Sequence, residues 1–177
     1  MRTYVFDTEP IITWLHDEPG HEAVGALLDE VTDGDAKGVI TDANAAEIVY
    51  LDARLLAAAR GDSRPTTEDI AEGIYDVSML ERGGIHIADA SWQRAGRIKA
   101  SGGLSPGDAF AVGCALARDA TLVVEADDDF DDLPIDVDLH RFRDEPAWRY
   151  ERRYRLRLLR VNGYRAWAGG LGLLQSH

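Results

Sequence analysis

Short apolar runs alternate with segments of helical periodicity along the first 143 residues of the chain. Within these runs apolar and polar positions do not alternate, and the clearest is Tyr-Val-Phe at residues 4–6. Unbroken apolar runs are typical of strands that are buried on both faces, as in a parallel sheet. The pattern predicts strands over residues 2–7, 36–41, 85–88, 121–124 and 137–142.

Helical segments separate these strands. Apolar residues spaced three and four apart predict helices over residues 10–16, 22–31, 43–60, 66–80, 90–100 and 105–119. Thr66 or Thr67 and Ser105 are favoured helix-capping residues, which supports two of these starts. Strands that alternate with helices imply βαβ units and helices on both faces of the sheet. The expected fold class is α/β: a three-layer α/β/α domain over residues 1–143, with a central parallel sheet of about five strands.

The distribution of charge sets the end of the chain apart from this domain. The formal net charge is −13, and only two lysines, Lys37 and Lys99, accompany 21 aspartates, a composition typical of salt-adapted, halophilic proteins. Residues 1–144 carry a net charge of −18, whereas residues 145–177 carry seven arginines against two glutamates. We therefore expect a separate arginine-rich tail over residues 144–177. Its aromatic and arginine residues suit RNA binding or a partner-binding helix, and an irregular end without a role is the third alternative.

Other features restrict the class of protein. The single cysteine, Cys114, excludes a disulfide framework and fits a reducing, cytoplasmic environment. No apolar run approaches the length of a membrane span, and we see no signal-peptide pattern at the N-terminus. The five histidines show no metal-ligand spacing. A cytoplasmic protein without a membrane segment is the expectation.

Acidic residues occur where a parallel sheet places its ligands. Asp7 ends the first strand, Glu47 lies in the helix after the second, and Asp108 opens the helix before the fourth; Asp127 and Asp129 follow that strand. Two unit charges ~4 Å apart repel by about 4 kcal/mol at an effective dielectric of ~20, so a hard cation such as Mg²⁺ or Mn²⁺ would stabilise the cluster. Each acid also has a purely structural explanation. Asp7 and Asp108 would cap helices, and Glu47 and the acidic loop would be solvated.

The order of these motifs resembles the PIN-domain family, and within it the VapC-type toxins of toxin–antitoxin pairs. The resemblance rests on Val-Phe-Asp-Thr (5–8), Asn-Ala-Ala-Glu-Ile (44–48), Leu-Ser-Pro-Gly-Asp-Ala (104–109) and the acidic motif ending in Asp-Phe at 129–130. It implies a metal-dependent endoribonuclease that cleaves single-stranded or loop RNA. By position, Asp7, Glu47, Asp108 and Asp127 match the acidic quartet, with Asp129 as a neighbouring metal ligand and the alternative to Asp127 as the fourth ligand. The implied cofactor is Mg²⁺ or Mn²⁺.

The resemblance also implies partners, and the chain departs from the family pattern at one position. An antitoxin protein is expected, a homodimer is a further expectation, and Arg94, Arg97 and Lys99 are the candidates for contacting RNA, although they also suit a solvated helix face. Glu125 stands where the family usually has Thr or Ser. It would add a ligand, shift the metal preference or face solvent. The alternative function is a catalytically weak or inactive PIN-like module that binds RNA or protein.

Overall fold

The computed structural model describes residues 1–126, 130 and 135–143. Asp127, Asp129 and the predicted tail 144–177 lie outside the described residues. The strands are β1 (Arg2–Phe6), β2 (Ala36–Thr41), β3 (Ile85–Ala88), β4 (Thr121–Val124) and β5 (Leu139–Arg141). The helices are α1 (Thr8–Leu15), α2 (His21–Thr32), α3 (Asp42–Ala59), α4 (Thr67–Arg82), α5 (Trp92–Ser101) and α6 (Pro106–Arg118).

The five strands form one parallel sheet in the order β3-β2-β1-β4-β5. β1 is the central strand, and Val5 is in register with Val39 of β2 on one side and with Leu122 of β4 on the other. All strands therefore end at one edge of the sheet, here called the carboxyl edge. None of the described helices is long and apolar enough to cross a membrane.

Both faces of the sheet are covered, which confirms the predicted three-layer arrangement. Along β1, Tyr4 and Phe6 face the core formed with α1 to α4, whereas Val5 faces the core formed with α5 and α6. Val5 and Phe6 are fully buried. Burial on both faces explains why β1 reads as an unbroken apolar run, since neither face needs polar side chains.

Helix starts place the acids at the carboxyl edge. α1 begins at Thr8 rather than at the predicted Pro10, because Asp7 occupies the N-cap position and Pro10 lies within the first turn. The hydroxyl of Thr41 caps α3 by accepting from the Asn44 backbone N–H at 3.1 Å. Ser105 and Asp108 form a reciprocal capping box at the start of α6, as Thr66 and Asp69 do at the start of α4.

A second buried group of ionisable residues lies away from this edge, where α1, α3 and α4 meet. His16 Nε2 lies 2.8 Å from Asp52 Oδ1, and the second oxygen of Asp52 is buried without a hydrogen-bond partner. Asp76 of α4 is 8% exposed. The pKa of Asp76 is raised to about 7, chiefly by burial and also by the charges of Asp52 and Glu72, whereas His16 lowers it.

The stability of the protein is therefore expected to depend on the charge of Asp76. Below the unfolded-state pKa of about 4, Asp76 is protonated in both the folded and the unfolded protein, so its ionisation does not lower the free energy of unfolding. As pH rises to about 7 the unfolded state releases its proton first, and the folded state loses stability until Asp76 also ionises. Asp76→Asn should therefore stabilise the fold by about 1–3 kcal/mol at pH 8 and by little at pH 4, as measured by denaturant unfolding.

Glu72→Gln is the matched control, because Glu72 lies one turn earlier on α4 and is exposed. It removes the same charge without removing a buried one, so its effect should be small at both pH values. A stabilisation by Asp76→Asn that is equal at pH 4 and pH 8 would contradict this account.

Candidate metal site at the carboxyl edge

Three of the predicted acids meet at the carboxyl edge. Asp7 directly follows the central strand, Glu47 lies in the second turn of α3, and Asp108 lies in the first turn of α6. Asp108 and Glu47 lie close enough to Asp7 that their charges raise its pKa. Asp7 is buried and the other two are half-buried. The structure thus brings together acids that are up to 101 positions apart in the sequence.

Asn44 holds the carboxylate of Asp7. Its side-chain N–H₂ donates to Asp7 Oδ1 at 2.9 Å and to the hydroxyl oxygen of Thr8 at 3.1 Å. The amide oxygen of Asn44 accepts from the Thr41 hydroxyl, which directs its nitrogen towards Asp7. Asn44 is completely buried, so this orientation is set by the fold rather than by solvent.

The electrostatics of Asp7 favour either a proton or a cation. Its pKa is raised to about 8, chiefly by burial and also by the charges of Asp108, Glu47 and Glu9, whereas a hydrogen bond from the Thr8 backbone amide lowers it. The side chain makes no capping hydrogen bond to α1. A buried carboxylate with acidic neighbours is costly to the fold unless positive charge compensates it. Capping therefore does not explain why an aspartate stands here.

Glu47 is fixed from two sides. The Thr8 hydroxyl donates to its Oε2 at 2.9 Å. From the other side, α6 approaches so closely that a Cβ on Gly107 would lie 2.6 Å from the same oxygen. Glycine at 107 therefore permits the start of α6 to lie against the carboxylate of Glu47. Because this carboxylate is half-buried and hydrogen-bonded, Glu47 is not a freely solvated helix acid.

Asp108 has a structural role and remains available for a second one. Its Oδ2 accepts from the Ser105 backbone N–H at 2.8 Å, and its own N–H donates to the Ser105 hydroxyl at 3.2 Å. The predicted capping box is thus present. The cap engages one oxygen of a half-buried carboxylate at the positive end of a helix, so capping and cation binding are compatible.

The donor set suits a hard divalent cation. It consists of carboxylate oxygens, with amide and hydroxyl groups behind them, and this is the chemistry that Mg²⁺ and Mn²⁺ prefer. Among the residues that the structure describes, no group of three or more acids, histidines or cysteines is placed to hold a metal ion by itself. The remaining predicted ligands, Asp127 and Asp129, follow β4 and lie outside the described part. The oxygen chemistry of Asp7, Glu47 and Asp108 fits a cation, but these three described acids do not complete a site.

Of the three roles predicted for Glu125, the structure addresses only exposure to solvent; an added ligand or a shifted metal preference stays a prediction. The Glu125 carboxylate pairs with Arg143, which also donates to Glu9 Oε1 at 3.1 Å. The Glu125 side chain is 17% exposed, so it does not face solvent. The pKa of Glu9 is raised to about 7, chiefly by burial and also by the charges of Glu125 and Glu18, whereas Arg143 lowers it.

The predicted RNA-binding residues lie on α5, which packs against α6. Arg94, Arg97 and Lys99 are all exposed. The Arg94 stem lies over Gly113 of α6, and its guanidinium donates to the Gly113 carbonyl at 3.4 Å. Their exposure fits both nucleic-acid contact and a solvated helix face.

Sequence reasoning missed the residues that support the acids. The sequence pattern assigned no supporting role to Thr8, Asn44 or Arg143. Asn44 was detectable in principle, because an amide three residues before Glu47 at the start of a helix is placed to reach a neighbouring strand end. Arg143 gave no local signal, since its carboxylate partners lie 134 and 18 positions away.

Comparisons with known proteins agree with the fold. A family model described as PIN domain matches residues 4–136. VapBC2 from Rickettsia felis, solved bound to a DNA fragment from their promoter, has a TM-score of 0.55 at 15% identity, covering 78% of this chain and 98% of that one. VapBC-1 from nontypeable Haemophilus influenzae has a TM-score of 0.53 at 16% identity, covering 79% and 98%. A comparison with curated protein sequences gives no match.

The burial of Asp7 generates a stability prediction. Asp7→Asn should raise the unfolding temperature of the metal-free protein at pH 8 and above, because it removes a buried charge and keeps the shape and the oxygen that accepts from Asn44. A gain of about 1 kcal/mol corresponds to about 2–4 °C for a chain of this size. Differential scanning calorimetry in the presence of a chelator provides the measurement. A clear loss of stability would instead assign Asp7 a purely structural role.

Proposed function

The chain belongs to the PIN domain family, and on that premise we propose that it is a Mg²⁺- or Mn²⁺-dependent endoribonuclease, the toxin of a VapBC-type toxin–antitoxin pair. The observation that carries the proposal is the meeting of Asp7, Glu47 and Asp108 at the carboxyl edge, with a pKa of Asp7 raised to about 8. In a purely structural cluster we would expect a basic side chain to compensate the charge of these three carboxylates. In the proposed function a bound metal ion compensates it.

The residues of the site have two kinds of role in the proposed reaction: acids that hold the cation and polar groups that orient those acids. Asp7, Glu47, Asp108 and Asp127 would hold the cation, with Asp129 as a neighbouring ligand. Bound Mg²⁺ or Mn²⁺ supplies activation of a water for in-line attack and neutralises the scissile phosphate. Asn44 orients the Asp7 carboxylate, and Thr8 orients that of Glu47. Such supporting hydrogen bonds commonly contribute 10–100-fold to metal affinity or activity.

The substrate we propose is single-stranded or loop RNA. The acidic edge repels polyanions, so binding requires metal at the scissile phosphate and positive charge elsewhere. Arg94, Arg97 and Lys99 of α5 are proposed to supply it, because α5 packs on the helix that carries Asp108.

A protein partner fits the exposed apolar side chains of the α3–α4 hairpin. On these two helices Ile48 and Val77 are core residues, whereas Ile70 and Ile74 are 46% and 53% exposed. Tyr50 and Tyr75 extend this apolar surface. We propose it as the antitoxin-binding surface, since both solved structures described above are named as VapBC complexes.

Cleavage of defined RNAs by the purified chain tests the proposed activity. We expect cleavage with Mg²⁺ or Mn²⁺, none with chelator, and a loss of more than about 100-fold in Asp7→Asn. Asp42→Asn is the control, because Asp42 follows β2 as Asp7 follows β1 but is exposed and bonded to its own helix. Folded wild-type protein that binds RNA without cleaving it under any metal condition would favour the binding-module alternative.

Co-expression with the products of the flanking reading frames tests the proposed partner surface. Ile74→Asp should abolish co-purification of the antitoxin, because it places a charge in an apolar contact. Trp92→Asp is the control, since Trp92 is 70% exposed but lies on α5. Equal effects of the two substitutions, or none from either, would argue against the α3–α4 surface.

A further inference from the structure

Arg143 is the only arginine or lysine that is buried among the described residues. It lies two positions after β5, and its side chain is 5% exposed. A buried guanidinium is tolerated only with partners that satisfy its charge and its donors. Arg143 donates to Glu9 Oε1 at 3.1 Å, to Glu125 Oε2, and to the Pro19 carbonyl at 3.1 Å. Both terminal nitrogens of the guanidinium thus have partners, whereas its Nε is buried without a hydrogen-bond partner among the described residues.

The surroundings of Arg143 fix it in place. Its guanidinium stacks 4.9 Å from the centre of the Phe142 ring. Phe142 in turn packs against Gly20, where an added Cβ would lie 2.9 Å from the ring. Gly20 has φ +97°, a conformation that favours glycine, so the α1–α2 loop is shaped to admit this ring.

The partners of Arg143 belong to the two segments that flank the candidate metal site. Glu9 lies two residues after Asp7 in the first turn of α1. Glu125 follows β4 and stands two residues before Asp127, and its carbonyl also accepts from Arg141 at 3.4 Å. One guanidinium therefore joins the segment after β1 to the segment after β4. It also neutralises carboxylates that would otherwise add to the negative charge around Asp7.

We propose that Arg143 is a positioning residue of this site, which sets its charge and holds Glu9 and Glu125 away from the cation. The inference rests on the proposed function, because it takes Asp7 as a metal ligand. When both carboxylates are ionised, Glu9, Glu125 and Arg143 together carry one net negative charge. Removing the arginine leaves two, and removing Glu125 as well restores one.

From this charge count we expect the variants to differ in Mn²⁺ affinity in a fixed order. Calorimetric titration of the full chain with Mn²⁺ measures that order. Arg143→Gln should bind Mn²⁺ about tenfold more tightly than wild type, because the added negative charge attracts the cation. Glu125→Gln should bind it more weakly, and the double variant should return to the wild-type value. Cleavage by Arg143→Gln should nevertheless fall, since the segments that carry the ligands are no longer joined. Loss of packing alone would weaken metal binding and would not be reversed by Glu125→Gln.

Unfolding of the metal-free variants provides a readout that does not depend on the proposed function. Arg143→Gln should lower the unfolding temperature, and Glu125→Gln in that background should recover part of the loss, which demonstrates coupling between the two side chains. Arg143→Lys is the variant to use if Arg143→Gln does not fold. It keeps the charge, so Mn²⁺ affinity should stay near wild type while stability falls. Arg118→Gln, at the opposite edge of the sheet, is the control for losing one positive charge.

The outcomes separate the two proposals. Wild-type protein that binds no Mn²⁺ overturns the metal function itself and this inference with it. Wild-type binding together with unchanged or weaker Mn²⁺ affinity in Arg143→Gln, or additive effects of the two substitutions, overturns the role of Arg143 alone.

Discussion

Burial of the Asp7 carboxylate is the constraint on which the rest of the site depends. The central strand delivers this group to the carboxyl edge, and the helices that cover both faces of the sheet remove it from water. Two further carboxylates then approach it from α3 and α6. A fold that gathers like charges in a poorly solvated place gives up stability for an affinity for cations, a common property of functional sites.

The neighbouring structure manages this charge with groups that serve two purposes. Asp108 closes the capping box of α6 and presents its carboxylate at the edge. Thr8 starts α1 and orients Glu47. Arg143 is the exception: it is a dedicated cation, and it neutralises the outer acids Glu9 and Glu125 while leaving Asp7 without a positive partner among the described residues.

Much of the fold was predictable because its signals are local. The unbroken apolar run of β1 follows from burial on both faces, and the capping boxes of α4 and α6 follow from residues three positions apart. The start of α1 was predicted two residues too late, because Pro10 was read as the first turn while Asp7 holds the N-cap. The first three acids could be predicted because strand ends and helix starts share one edge. The contacts of Asn44 and Arg143 could not, since they depend on how distant segments pack in three dimensions.

The central claim is that the acids at the carboxyl edge hold a divalent cation around Asp7. Anomalous diffraction from crystals of the full chain grown with Mn²⁺ tests it most directly, because it locates the metal independently of activity. We predict an anomalous peak within coordination distance of Asp7 and Asp108, lost in crystals of Asp7→Asn. A peak elsewhere, or none at Mn²⁺ concentrations that saturate binding in solution, would contradict the account.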